Sequence, residues 1–281
     1  MRKMNLRPLP FFKGIILSKR ILLYLIEIKL SIVTKKDFEP TYFEKYYTKH
    51  YEKSIKSLLN FVLSDSIFKI PINLGLSHGV SGILLVLSLI YKNKSDILLK
   101  RAIYKILSFL IDIDLKNIPL PSIIYKEKNT YAKVKPSWCY SELGIYHSII
   151  ISSKCMGLYS ISCLYKHKIM NVINKIENHK IISPNFCHGY SGILVFNKLY
   201  NNNSYKIKKY YMDLLYKERS NDITSIFYDY YYAKEMIIKK ETNLSFLDGS
   251  FSVLLSLMFI NGYQNKLWEK LLLIRFTNDN I

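Results

Sequence analysis

Little in this chain favours loops. It has only 10 glycines and 8 prolines in 281 residues, which excludes collagen-like, low-complexity and linker-rich organisation. Cysteine is scarce too, with four residues at 139, 155, 163 and 187. No secretion signal with a small-residue cleavage site is visible, so a reduced, intracellular chain is expected rather than a disulfide-stapled one. No apolar run makes a good membrane span: Ile15 to Val33 is interrupted by Lys19, Arg20, Glu27 and Lys29, and Ile83 to Tyr91 is too short. Acidic residues are few, 21 against 41 Lys and Arg, for a net charge of +20. Such a balance admits an anionic partner: an acidic peptide, a membrane surface or nucleic acid. The heavy use of Lys, Ile, Asn and Tyr instead fits the compositional drift of AT-rich coding sequence. No zinc-finger, RNA-binding or helix-turn-helix pattern organises the charge, so nucleic acid is not expected as a partner. The 49% hydrophobic content is enough for a substantial core.

What the chain does have is a repeat. His78-Gly79-Val80-Ser81-Gly82-Ile83-Leu84 returns 110 residues later as His188-Gly189-Tyr190-Ser191-Gly192-Ile193-Leu194, with six identities in seven positions. Cys187 directly precedes the second copy, and Trp138-Cys139-Tyr140 lies between the two. A repeated structural unit is implied, whose turn carries a metal-capable or proton-transferring side chain.

Two kinds of segment alternate along the chain. Amphipathic ones have apolar residues at helical spacing: Tyr42, Phe43, Tyr46, Tyr47, Ile55, Leu58, Leu59 and Val62 among lysines, then Ile103, Ile106, Leu107, Leu110 and Ile111, then about Tyr205 to Tyr216. Pro40 suits the first turn of the first helix, and Ser95 and Asp96 are candidate caps for the second. The other kind is apolar all round and follows a glycine-bearing turn: Gly82–Tyr91, Gly144–Ser152, Gly192–Tyr200 and Gly249–Ile260. The turns recur near 78, 139, 188 and 249, in steps of 61, 49 and 61 residues, each long enough for a turn plus a helical hairpin. Buried helices alternating with amphipathic ones predict an all-α domain with an inner layer wrapped by an outer one. Strand signals are weak, and residues 112–136 read as a long connection. The expected organisation is a basic, apolar segment over 1–39 and one helical domain over 40–281.

Cys139, Cys187 and His188 form a set of soft donors that suits zinc, and three such ligands leave a fourth position open. The alternatives remain a buried cysteine acting as a small hydrophobe and a histidine satisfied within its turn. His78 holds the place of His188 in the other copy but follows Ser77 instead of a cysteine. If the turns converge, His78 faces the metal without binding it, as a general acid or base would; the alternative is a turn histidine bonded to backbone.

Gly75-Leu76-Ser77-His78-Gly79, Trp138-Cys139-Tyr140 and Cys187-His188-Gly189, in that order, resemble the signature of the lanthionine synthetase C family, the lantibiotic cyclases, over roughly residues 40 to 262. The resemblance implies an α/α toroid with one bound zinc (Zn2+), held by Cys139, Cys187 and His188. It implies a lanthipeptide cyclase in which a cysteine thiol of a ribosomally made, dehydrated precursor peptide adds to dehydroalanine or dehydrobutyrine to close a thioether ring. His78 is then the proton-transfer residue, Tyr140 lines the site, and Lys135 stands where the family usually has arginine. The implied setting is the cytoplasm, with a dehydratase and an exporter as partners in a complex at the inner face of the membrane.

This chain departs from that pattern in three places. Ser141 replaces the glycine that usually follows Trp-Cys-Tyr, and lysine at 135 keeps the charge but loses the planar fork of arginine. Only 77 residues precede His78 and four turn units are found, fewer than the family's ring carries. The expectation is therefore an incomplete, open ring, with Asp37 and Asp65 as the only candidates for the family's upstream acidic residue. The second reading is a truncated, non-catalytic peptide-binding or assembly subunit of a lanthipeptide-modifying complex.

Overall fold

The computed structural model describes residues 42–69, 71–117, 120–125, 135–175, 181–200, 204–217, 227–232, 238–242, 244–263, 268–269 and 272–274. Segment 1–39, Pro40 and Asp37 lie outside the described residues. Eight α-helices are described: α1 (Tyr42–Leu63), α2 (Val80–Asn93), α3 (Ile97–Lys116), α4 (Glu142–Cys155), α5 (Tyr159–Asn174), α6 (Tyr190–Tyr200), α7 (Tyr205–Lys217) and α8 (Ser250–Ile260). The fold is all-α in two layers, as expected. The even-numbered helices, each entered through a glycine-bearing or serine-bearing turn, form the inner layer. Three odd-numbered helices cover them: α3 packs on α2 and α4, α5 on α4 and α6, and α7 on α6, while α1 packs on α3. Within the inner layer α2 lies against α4, and α6 against α8. No described helix is long and apolar enough to cross a membrane.

The inner helices are apolar all round, and α4 is covered on both sides. In α4, Leu143 through Ser153 are all buried. The outer helices bury one stripe, as in α7, where Ile207, Tyr211 and Leu215 recur at four-residue spacing. Asp96 caps α3, its carboxylate accepting from the Leu98 and Leu99 amides at 2.7 and 3.1 Å; Ser95 lends no cap.

Two expectations need correction. The stretch 112–136 is not all connection, because α3 runs to Lys116 and Ile123–Ile124 forms a short strand, β2, paired antiparallel with β1 (Ile72–Asn73). Strands also appear where strand signals are weak. Strands β3 (Tyr228–Tyr232) and β4 (Ile238–Thr242) make an antiparallel hairpin with Tyr230 opposite Lys240. Five polar or aromatic residues in a row carry no alternation of hydrophobicity, so the pairing has no period-two signature. The Ser250 hydroxyl, at the start of α8, holds the hairpin's base through both the amide and the carbonyl of Phe227.

Close approach explains one repeated glycine. At the third residue of three inner helices, a Cβ on Gly82, Gly144 or Gly192 would run into the carbonyl oxygen of the residue six earlier: Leu76, Trp138 or Phe186. The turn folds back onto its own helix there, and only hydrogen fits. In the fourth unit Ser252 takes this place and donates to the Gly249 carbonyl at 2.7 Å.

Two buried polar clusters tie the layers together. Asp114, on α3, accepts from the Tyr146 and Tyr165 hydroxyls at 2.8 Å each and pairs with Lys168. This joins α3, α4 and α5 through one satisfied carboxylate. His147 on α4 is fully buried. Its Nε2 must donate to the Leu273 carbonyl at 2.7 Å, so its Nδ1 accepts from the Tyr200 hydroxyl at 2.5 Å. That fixes a neutral ring, and burial, only partly offset by the Leu273 carbonyl, pulls its pKa down to about 4.

Two outcomes follow from this packing. Gly144→Ala is expected to lower stability by about 1–3 kcal/mol through overpacking, measured by urea denaturation. A Gly144→Ala protein as stable as the native chain would show that the turn can move away. His147 in turn gives an acid sensitivity. The unfolded imidazole takes a proton near pH 6.5 while the folded one does not until about pH 4, so the stabilisation is complete above pH 6.5. It drains as pH falls through that window, by roughly 3 kcal/mol in all. Unfolding free energies of native and His147→Gln protein compared between pH 7.5 and 4 should converge as pH falls, and a constant gap would refute the assignment.

Candidate metal centre

Main-chain hydrogen bonds stitch the four turns together in register. Ser77 N–H donates to the Cys139 carbonyl at 3.2 Å, Cys139 N–H to the Cys187 carbonyl at 3.3 Å, and Cys187 N–H to the Leu247 carbonyl at 3.2 Å. Equivalent residues therefore stand side by side. Before each bonded residue comes a floor position: Leu76, Trp138 and Phe186 are buried. Trp138 packs on Phe186 with ring centres 5.5 Å apart and donates through its indole N–H to the Leu272 carbonyl at 2.9 Å. After each bonded residue comes the row His78, Tyr140, His188 and Asp248.

Short polar side chains brace three of these turns in the same way, accepting from the amide of the third-row residue. Ser137 takes Tyr140 N–H at 3.4 Å, Asn185 takes His188 N–H at 3.0 Å, and Ser245 takes Asp248 N–H at 3.0 Å. Ser141 proves no obstacle to the second turn. Its backbone, at φ −115° and ψ −175°, is extended, which any residue adopts. Its hydroxyl accepts from Ser137 N–H at 2.5 Å, donates to the Ser137 carbonyl at 2.9 Å and caps Leu143 N–H.

The ladder sets the Cys139 turn beside the Cys187–His188 turn although 48 residues separate the two cysteines. The thiols share a hydrogen bond, and Cys139 also reaches the Ser137 hydroxyl at 3.7 Å. The Cys187 S–H holds the Cys139 thiol below its ordinary value. The same bond, burial and the neighbouring Cys139 and Asp248 charges push Cys187 up. One thiolate in this pair forms readily and a second is opposed, as in a site that needs a cation to hold both. His188 is steadied from the other side by Asn185, whose amide nitrogen lies 3.0 Å from Nε2. The donors are soft sulfur and imidazole converging from two rigid turns, and they fit zinc.

His78 and Tyr140 occupy adjoining places in the row, with ring centres 5.8 Å apart. Burial and the nearby Cys139 and Cys187 raise the Tyr140 phenol, against a hydrogen bond from Ser77. Lys135 lies exposed at the start of the second turn. Asp65 is not part of this site; it pairs with Lys105 at 2.8 Å beyond the end of α1. The residue that sequence reading missed is Asp248. A ligand atom from each of Cys187, His188 and Asp248 lies within 4.8 Å of the others. The signal was available in register: Phe246-Leu247-Asp248-Gly249 aligns with Phe186-Cys187-His188-Gly189, but it lacks the cysteine and histidine that drew attention to the other turns.

The family model for lanthionine synthetase C-like proteins matches residues 21–273. The chain belongs to this family. Among solved structures it is similar to nisin cyclase, with a TM-score of 0.57 and 18% sequence identity. That match covers 82% of this chain and 62% of the nisin cyclase chain, so the chain spans less than two thirds of that protein. At this identity the likeness establishes the fold, an α/α toroid of the lanthipeptide cyclase type. No curated protein sequence matches the chain.

Proposed function

We propose that the chain is a zinc-dependent lanthipeptide cyclase. The observation that supports the reading is a row of soft donors on two turns joined by a main-chain bond: Cys187 and His188 on one, Cys139 on the other, with His78 and Tyr140 in adjoining places. Cys139, Cys187 and His188 would hold the metal. Bound there, zinc would make a peptide thiol acidic enough to ionise at neutral pH. The substrate class is a ribosomal peptide carrying dehydroalanine or dehydrobutyrine. In the addition, sulfur bonds the β-carbon, the double bond's electron pair moves onto the α-carbon and its carbonyl, and a proton must arrive at the α-carbon. His78 is the group placed to deliver that proton, acting as a general acid. Tyr140 flanks His78, with ring centres 5.8 Å apart, and lines the site. Lys135 keeps a positive charge at the start of the second turn, and its exposure suits contact with the peptide more than with the reacting atoms. The cytoplasm, with a dehydratase and an exporter as partners, is the setting this activity would need.

The second reading, a subunit that binds or assembles without cyclising, is favoured by an exposed apolar surface. Apolar side chains on the last inner helix, Phe251 at 52% and Met258 at 43%, are exposed, as is Phe246 at 41% in the turn before it. Such surface marks a contact for another segment or protein.

Purified protein is expected to hold one zinc per chain by elemental analysis, and Cys187→Ala to lose it. Stoichiometric zinc in a Cys139→Ala/Cys187→Ala double variant would remove the site. His78→Ala separates the roles: it should keep its zinc and lose about 10²–10⁴-fold in the rate of thioether formation on a dehydrated peptide. Zinc lost from His78→Ala as from Cys187→Ala would make His78 a ligand. A native protein that binds zinc and peptide yet forms no ring would favour the second reading.

A further inference from the structure

We infer that Asp248 is a fourth protein ligand of the same metal, so that its carboxylate occupies the position otherwise left for a peptide thiol. The inference rests on the zinc reading and carries it to a residue that no motif singled out.

Three observations converge on Asp248. Its Oδ1 lies 3.7 Å from His188 Nδ1. That is beyond a hydrogen bond but close to the separation of about 3.3–3.5 Å between two donors each about 2.0–2.1 Å from one tetrahedral zinc. The same carboxylate, the His188 ring and Cys187 Sγ are mutually within 4.8 Å. Finally, Oδ1 is shut off from solvent with no hydrogen-bond partner, although the side chain as a whole is nearly half exposed. A carboxylate oxygen closed to water, with only the Cys187 thiol and the His188 ring beside it, is poorly compensated. A cation between it, the imidazole and the thiols would satisfy it.

Local structure supplies the aim. Ser245 accepts from Asp248 N–H, and Gly249 N–H donates to the Ser245 carbonyl at 3.1 Å. Cys187 N–H on the Leu247 carbonyl fixes this turn beside the Cys187–His188 turn. Asp248 thus projects from the place equivalent to that of His188, one turn along the ladder. Two thiolates and a carboxylate around one divalent ion leave a net negative shell, with the carboxylate as the hardest and most exchangeable donor. An incoming thiol would compete with Asp248, and the carboxylate would tune how readily the site accepts substrate.

The test uses full-length native, Asp248→Asn and Asp248→Ala protein, with zinc affinity read by competition against a chromophoric chelator and cobalt(II) absorption as the report on coordination. A small thiol, 2-mercaptoethanol, then serves as the competing ligand. Asp248→Ala is expected to weaken zinc binding by about tenfold or more, to shift the visible cobalt bands, and to bind the thiol more tightly than native protein does. Asp248→Asn, which keeps the turn's size, should fall between them and guards against a folding defect in the alanine variant. Superimposable cobalt spectra and equal thiol affinity in all three proteins would overturn the inference, even if zinc affinity fell. That combination would mean the carboxylate acts from outside the shell. A native protein that binds no zinc would overturn this inference and the zinc reading together; a native protein that binds zinc through Cys187 while the Asp248 variants match it would overturn this inference alone.

Discussion

The constraint on which this molecule depends is the main-chain ladder between turns. Ser77, Cys139, Cys187 and Leu247 occupy one position in four repeats, and each of the first three donates its amide to the next carbonyl in the row. A buried amide without a partner is costly, so each turn is fixed by its neighbour before any ligand arrives. The bonds involve no side chain, which leaves side chains free to differ from turn to turn. Two residues 48 apart in sequence become adjacent thiols for this reason, and the site is preorganised on rigid elements rather than on mobile loops.

The polar groups that stabilise the fold are separate from this row. Asp114 draws two tyrosines and a lysine from the neighbouring helices into one satisfied cluster. His147 bridges α4 to Tyr200 on α6 and to the Leu273 carbonyl. Both sit where an uncompensated charge or an orphan donor would be expensive, and both are fully paired. The turns, by contrast, present a thiol pair that cannot readily lose both protons and a carboxylate oxygen closed to water beside Cys187 and His188. Stability and chemistry are thus assigned to different parts of the same helices.

That division also decides what the sequence could reveal. The inner helices were legible because each follows a turn of recognisable composition and is apolar throughout. The outer ones were legible from their stripes, as at Ile207, Tyr211 and Leu215. The pairing of the Cys139 turn with the Cys187–His188 turn was legible once the turns were read as one repeated unit. Asp248 was not, because attention went to residue type, and its turn offers leucine where the others offer serine or cysteine. The Asp114 and His147 clusters were hidden for another reason. Their partners lie between 32 and 126 residues away, and no local period marks a side chain whose importance comes from what another segment brings to it. The β3–β4 hairpin lacked a signal because its strand residues do not alternate in polarity.

Each turn therefore behaves as a frame with places of fixed duty. The first place packs the floor, as with Leu76, Trp138 and Phe186; the second carries the ladder; the third faces the site; the fourth must be small or, as Ser141 demonstrates, able to bond back into its own turn. The third places read His, Tyr, His and Asp. Nothing in the ladder depends on which side chain stands there, because the bonds run through the main chain of the preceding residue. A substitution at a third place can change the chemistry of the site with little effect on its geometry, whereas Gly82, Gly144 and Gly192 leave no room for any Cβ. The fold tolerates variety in the row that faces the site and almost none in the contacts that hold the row in place.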